Sequence, residues 1–275
     1  MAGDGVLGLR GARWRRLRDD VHVGSRCCVA ALTAIIGVLT PACGDGIEGS
    51  AGQPVATTAA AVTTSVGSVA TTTAAVPVDA LPGEPFEIAP PEGTILSVLG
   101  VRHDDVLNVR HVPGLDGEVV DTLAPTSDDS VATGRSRQLP NSIWWEVITS
   151  RGARGWVSAR YTGVTGVTTD VTAEVLADLG RPSATTVADV GRLVAESRSE
   201  GEPTWAIEMV VPPSYGDLAQ VTFDVAGLGD DAASGRRLLV FAHDEEGDDI
   251  WTLHTVESTV MCQSYRGGTP GEPCP

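Results

Sequence analysis

The side chains able to do chemistry in this chain fall in a few places. Trp144 and Trp145 stand together in Ile143-Trp-Trp-Glu-Val-Ile, Tyr161 closes Gly155-Trp-Val-Ser-Ala-Arg-Tyr, and Arg110 ends Leu107-Asn-Val-Arg. Residues of these types bind rather than react: an exposed aromatic face stacks on a sugar ring or a peptide side chain, and a guanidinium forks onto a carboxylate. His103, His111, His243 and His254 lie in no His-x-x-x-His or His-Glu-x-x-His frame, so metal or acid–base chemistry is not expected of them. The run from His243 to Asp249 is acidic enough to invite calcium, but it lacks the alternating ligands and final Glu of an EF-hand loop and reads as a solvated hairpin turn. No nucleophile elbow, P-loop or dinucleotide fingerprint is present. The expectation is a protein that is not an enzyme and carries no cofactor and no metal.

Charge and cysteines narrow the class further. The formal net charge is −17. Six Arg and three Asp fall in residues 1–42, leaving 13 Arg against 33 acidic residues in the remainder. Such a surface repels phosphate backbones, so nucleic acid is not an expected partner. Cys27, Cys28 and Cys43 lie in or just after an N-terminal apolar run, while Cys262 and Cys274 lie near the other end. With no Cys-x-x-Cys pair to build a zinc site, the last two read as a disulfide closing a short loop.

The N-terminus has the layout of an export signal. An Arg cluster precedes an apolar run from Cys27 to Leu39. As a helix that run would rise only about 20 Å, short of the ~30 Å hydrocarbon core, which favours a signal over a permanent span. Leu39-Thr-Pro-Ala-Cys43 then resembles a bacterial lipobox. That resemblance implies cleavage after residue 42 and a lipid anchor on Cys43, on the extracytoplasmic face of the cell membrane; the alternative is a secreted chain. Residues 43–90 are rich in Ala, Thr, Val, Ser and Pro without periodicity and are expected to be a disordered tether.

Beyond the tether the chain breaks into short alternating runs bounded by turn-formers, the period of half-buried strands. The runs are Leu107–Arg110, then Pro113-Gly114, then Val119-Val120 with Leu123, then Trp144 or Trp145 with Val147, and finally Gly155-Trp-Val with Tyr161. In this order they resemble a bacterial SH3-like (SH3b) domain across residues 94–163. The resemblance implies a small barrel over 91–165 that binds a ligand instead of transforming one. The stretch from Thr126 to Ser142 reads as a long polar loop, and Thr165 to Asp170 as a linker or edge. Adjacent Trp144 and Trp145 on a strand must face opposite ways, so one packs inward and the other outward or to a rim. Trp156 is expected in the core. Arg110 shares the outer face with Asn108, within reach of Asp104, Asp105 or Glu146.

Residues 170–275 read as an α+β domain on an antiparallel sheet. Val171, Val175 and Leu179 have helical spacing with Gly180 placed to stop it, and a second helix covers 187–197. Strand-like runs follow at 204–211, 219–228, 237–243 and 250–262. The ending resembles tails of exported actinobacterial proteins. The fold class is thus mainly β, a small SH3-like barrel followed by the α+β domain. The candidate ligand-binding residues are Trp144, Trp145, Tyr161 and Arg110. The expected partner is cell-wall peptidoglycan, as peptide or glycan, with scaffolding or regulation of another envelope protein as the alternative and a hydrolase with an unrecognised site in 170–275 as a third reading.

Overall fold

The computed structural model describes residues 80–199, 204–228, 230–244 and 247–275. The export signal, the lipobox with Cys43 and the tether up to residue 79 lie outside them. The described chain is mainly β with antiparallel pairing throughout, and two helices interrupt its strands, as the patterning implies.

The first half is built from eight strands. They are β1 (Glu84–Pro85), β2 (Ile95–Val98), β3 (Leu107–Arg110), β4 (Val119–Leu123), β5 (Ser130–Leu139), β6 (Ser142–Ile148), β7 (Arg154–Ser158) and β8 (Thr162–Asp170). A 3-10 turn, Ala159–Tyr161, leads into β8. Neighbours run β8-β2-β5-β6-β7-β3-β4. Val164 of β8 and Leu123 of β4, from opposite ends of that run, meet in one core with Leu96, Val98, Val109, Trp145, Val147 and Val157. The sheet must therefore curl around its own apolar face. Strand alternation supplies that face: along β3, Leu107 and Val109 are buried while Asn108 and Arg110 are half-exposed.

Two expectations are corrected here. The supposed loop from Thr126 to Ser142 is mostly β5, which pairs with β6 from Val131↔Ile148 to Leu139↔Ser142. It escaped notice because its inward positions are Ser130, Ala132 and Ser136, small or polar instead of apolar. Thr165–Asp170, read as linker or edge, is the second half of β8 and is paired with the strand Trp251–Gln263. The last residues assigned to the tether also carry structure. Ala80–Pro90 forms an arm over the outer face, with β1 paired to β5 at Glu84↔Gln138 and Pro85↔Arg137. Arg137 Nη1 donates to Gly83 O at 3.0 Å, and Ser136 Oγ donates to Phe86 O at 2.5 Å.

The second half adds helix α1 (Thr172–Leu179), strand β9 (Ser183–Ala184), helix α2 (Val187–Ser197) and strands β10 (Ala206–Ser214), β11 (Ala219–Ala226), β12 (Ala233–His243) and β13 (Trp251–Gln263). Apart from the short β9, which the sequence reading lacks, these lie within a residue or a few of the ranges that periodicity indicates. In α2, Val187, Val190, Gly191 and Val194 form the buried stripe that rests on Val221 and Phe223. Thr186 caps the helix, its hydroxyl accepting from Asp189 N at 3.1 Å. Helix α1 differs in detail: Val175 is its buried residue, Val171 and Leu176 pack beside it, and Leu179 is exposed. Gly180 ends it with a positive φ of 71°.

Strand β13 pairs with β12 on one side and β8 on the other, so both halves share one sheet. Its end enters the first core through Cys262, which is bonded to Cys274. Ser264 just beyond accepts the indole N–H of Trp145 at 3.1 Å. A second tie is ionic. Asp224 of β11, fully buried, faces Arg237 in register on β12, with Arg237 Nε and Nη2 at 2.8 and 3.0 Å from its two oxygens. Asp224 also accepts Gly100 N at 2.9 Å, while Arg237 Nη2 reaches Val98 O at 2.8 Å and Pro125 O at 3.1 Å. Burial pushes the Asp224 carboxyl above its ordinary value against the pull of Arg237 and Gly100. Burial also opposes charge on Arg237, yet the bonds to Asp224 outweigh it and leave the guanidinium raised. Removing one partner strands the other in a dry site. Asp224→Ala is expected to cost about 3–5 kcal/mol, measured by denaturant unfolding of the full chain, and to loosen both halves in one transition.

Candidate functional site

A groove of about 350 Å³ opens where the curled sheet meets β10. Its floor holds Asn108 and Arg110 from β3 and Ser158 from the end of β7, with Trp144 of β6 and Tyr161 of the 3-10 turn as aromatic walls. Val106 and Leu115 form an apolar rim, Leu115 being 78% exposed on the Pro113-Gly114 turn. Arg102, Asp105 and Glu208 put charges of both signs at the mouth. Arg102 pairs with Asp104, an ion pair that raises the Arg102 pKa and lowers that of Asp104. Both of those groups are fully open to solvent, so the pair adds little stability.

The surroundings explain why the groove has this shape. His103 N donates to Met209 O at 2.9 Å, fastening the loop after β2 to β10 and bringing Glu208 alongside. Gly100, in the groove wall, has φ +67° and is held from behind by Asp224. Trp205 is wedged against Gly100 and Gly227: a Cβ added at Gly100 would fall 2.7 Å from the indole, and one at Gly227 would fall 2.0 Å from it. Tyr161 meets Trp205 edge to face at 5.2 Å, and the Arg160 guanidinium lies 4.2 Å over the same ring. Tyr161 is thereby held in one orientation on its groove side.

Three of the four candidates from the sequence, Arg110, Trp144 and Tyr161, thus come together. Trp145 does not join them: it is 3% exposed in the main core. Trp144 faces the other way, as alternation requires, yet it too is only 3% exposed, because Leu81 of the arm, Leu139 and Trp156 pack around it. It offers the groove an edge and no open stacking face. Trp156 is buried in this outer cluster and not in the main core. Arg110 Nη1 donates to Gly117 O at 2.7 Å, a bond that fixes its stem within the groove; of the acids expected near it, Asp105 shares the groove. Arg102, Leu115, Trp205 and Glu208 escaped sequence reasoning. Glu208 and Trp205 lie some hundred positions beyond β3 and carry no local motif.

Glu146 lies elsewhere, on the arm-covered face. Its oxygens accept from Arg135 Nη1 at 2.8 Å, Arg154 Nη2 at 2.7 Å and Thr133 Oγ1 at 2.7 Å. Burial raises the pKa of this carboxyl, but the Arg154 and Thr133 hydrogen bonds and the Arg135 charge outweigh burial and hold it below its ordinary value. Thr149 and Arg151 do the same for Asp121.

The remaining candidates are placed as follows. His243 and His254 meet edge to face at 5.4 Å. Asp244 turns its carboxylate onto the N–H groups of Gly247, Asp248 and Asp249 in its own hairpin. Among the described residues no group of three or more His, Cys, Asp or Glu could hold a metal ion, and no helix is long and apolar enough to cross a membrane. Comparison of the chain with protein-family models, curated proteins and solved structures finds no match.

Because the Glu146 pKa is lowered on folding, its contribution to stability is present above the unfolded value near 4.5 and is lost as pH falls through the folded one. Unfolding free energy is expected to drop below about pH 4.5, and Glu146→Gln should flatten that drop. Asp121 retains its own share of the acid dependence in that variant. Urea titrations at a series of pH values check this.

Proposed function

We propose that this chain is a non-catalytic envelope lipoprotein whose SH3b-like module binds a peptide of the cell wall in the groove over Arg110 and Tyr161. The observation that carries the reading is the groove's composition. Two guanidinium groups and two carboxylates surround an apolar rim and an aromatic wall within one concavity. A stretch of peptide with a free carboxylate, an amine and small apolar side chains complements each of those features, whereas a neutral glycan brings no charge to meet them.

The SH3b resemblance supports the reading. Its quoted elements fall in order on β3, the Pro113-Gly114 turn, β4, β6, β7 and the 3-10 turn. The export signal and Cys43 would place the module outside the cytoplasm on a lipid anchor, with two or more acyl chains giving stable attachment where one is marginal. The segment up to residue 79 would then be the reach between membrane and wall. On this reading the sheet of β10–β13 acts as a brace for the groove, supplying Glu208 and the Asp224 contact to Gly100.

The test is retention of the lipid-free mature chain on purified sacculi, compared with an unrelated protein of similar acidity. Arg110→Met and Tyr161→Ala are each expected to lower retention about tenfold, the loss of one charged hydrogen bond or one aromatic contact. Free stem peptide should compete, and glycan stripped of peptide should not. Retention indifferent to both substitutions but lost on altering exposed residues of the β10–β13 sheet would overturn the groove reading in favour of a protein partner.

A further inference from the structure

The charges of the groove are sorted along β3. Arg110 stands at one end. Its Nη1 donates to Gly117 O, and among the described residues it has no carboxylate partner, so the other N–H groups of this half-exposed side chain stay unclaimed. At the other end, past Val106, stand Asp105 and Glu208. Arg102 shares that end but is turned onto Asp104, and the charges of Glu208 and Asp105 act on it as well. Three carboxylates thus surround one guanidinium there, which leaves negative charge in surplus. Glu208 itself accepts no hydrogen bond among the described residues.

Asn108 lies between the two ends. Strand β3 pairs with β7 at Arg110↔Trp156, and the pairing of these strands stops there. Continued, it would set Asn108 opposite Ser158; instead both residues line the groove. The Asn108 carboxamide is half-exposed and, among the described residues, makes no hydrogen bond. A carboxamide presents a donor and an acceptor side by side, the complement of a peptide bond. From Val106 to Arg110 the strand runs about 13 Å, and an extended tripeptide runs about 10 Å, so two long side chains reaching inward can meet both of its ends. At about 350 Å³ the groove is at the small end of ligand pockets, which run from about 300 to 1,000 Å³, and it suits a chain end better than a long run of chain. Resting on the groove reading above, we propose that the site takes the carboxyl-terminal end of a short peptide in one direction. The carboxylate lies on Arg110, a peptide bond on Asn108, and an amine toward Glu208 and Asp105.

Titrations of the full chain, followed by the 1H–15N signals of the Asn108 carboxamide and Arg110 Nε–H, test this. The probes are trialanine, trialaninamide (which lacks the carboxylate) and N-acetyl-trialanine (which lacks the amine). Trialanine is expected to shift both signals saturably, and each blocked peptide to bind about tenfold more weakly, the loss of one charged hydrogen bond. Variants then fix the direction. Arg110→Met should weaken trialanine about tenfold but trialaninamide little, and Glu208→Gln should weaken trialanine by a similar factor but N-acetyl-trialanine little. Asn108→Leu should weaken all three. Equal binding of the three peptides, or a Glu208→Gln variant that still discriminates against acetylation, overturns the assigned direction; competition by stem peptide on sacculi would then keep the groove reading standing. Absence of saturation by trialanine overturns it as well, and loss of that competition would take the groove reading with it. The blocked peptides report on the unaltered protein, so the outcome does not hang on any variant folding.

Discussion

The contact between Asp224 and Arg237 organises this molecule. Alone on two neighbouring strands, a carboxylate and a guanidinium would form an ordinary cross-strand pair. Here the carboxylate is fully buried and the guanidinium mostly so, and further hydrogen bonds tie them to Gly100 N, Val98 O and Pro125 O from the opposite half of the chain. A buried pair of this kind is weak evidence of added stability, because the attraction is offset by desolvation. What it confers is position. The guanidinium has donors in fixed directions, and only one placement of the β2 end satisfies them. The loop after β2 then has one available course, and the groove forms along it.

The same logic recurs in the neighbouring contacts. Trp205 fills a slot that exists only because Gly100 and Gly227 have no side chains, and it turns Tyr161 toward the groove. Ser264, beside the Cys262–Cys274 bridge, receives the Trp145 indole from the core of the first half. Each contact crosses from one half to the other. The sheet that runs through β13 and β8 adds the backbone equivalent. The groove is therefore a product of both halves, although β3, β6 and the 3-10 turn supply its central residues.

On the outer face of the curled sheet, the arm changes the character of two tryptophans. Trp144 and Trp156 point away from the main core and would be open to solvent without this cover. Leu81, Leu139 and Val112 close over them. The covering also holds the Arg135 guanidinium over the Trp156 ring. Apolar burial stabilises the covered face at roughly 25 cal/mol per Å², and the buried Arg135 Nη2, which has no acceptor among the described residues, opposes it.

Local pattern determined a good part of this protein. Alternation in Leu107-Asn-Val-Arg and in Ile143-Trp-Trp-Glu-Val-Ile placed strands and their faces, because the two-residue period of a pleated chain leaves little choice. The run 187–197 was legible as a helix, and the Cys pair marked its bridge. Local pattern failed where the inward residues of β5 were Ser and Ala, since small polar side chains carry no apolar period. It also failed for the arm, whose burial comes from what lies beneath it. The site divides along the same line. Arg110 and Tyr161 were legible as chemistry close in sequence, but Glu208, Trp205 and the hold of Asp224 on Gly100 come from strands a hundred or more positions away. Only the folded sheet decides which of those side chains stand together, because long-range pairing is set by the packing of whole faces and leaves no mark on a short window of residues.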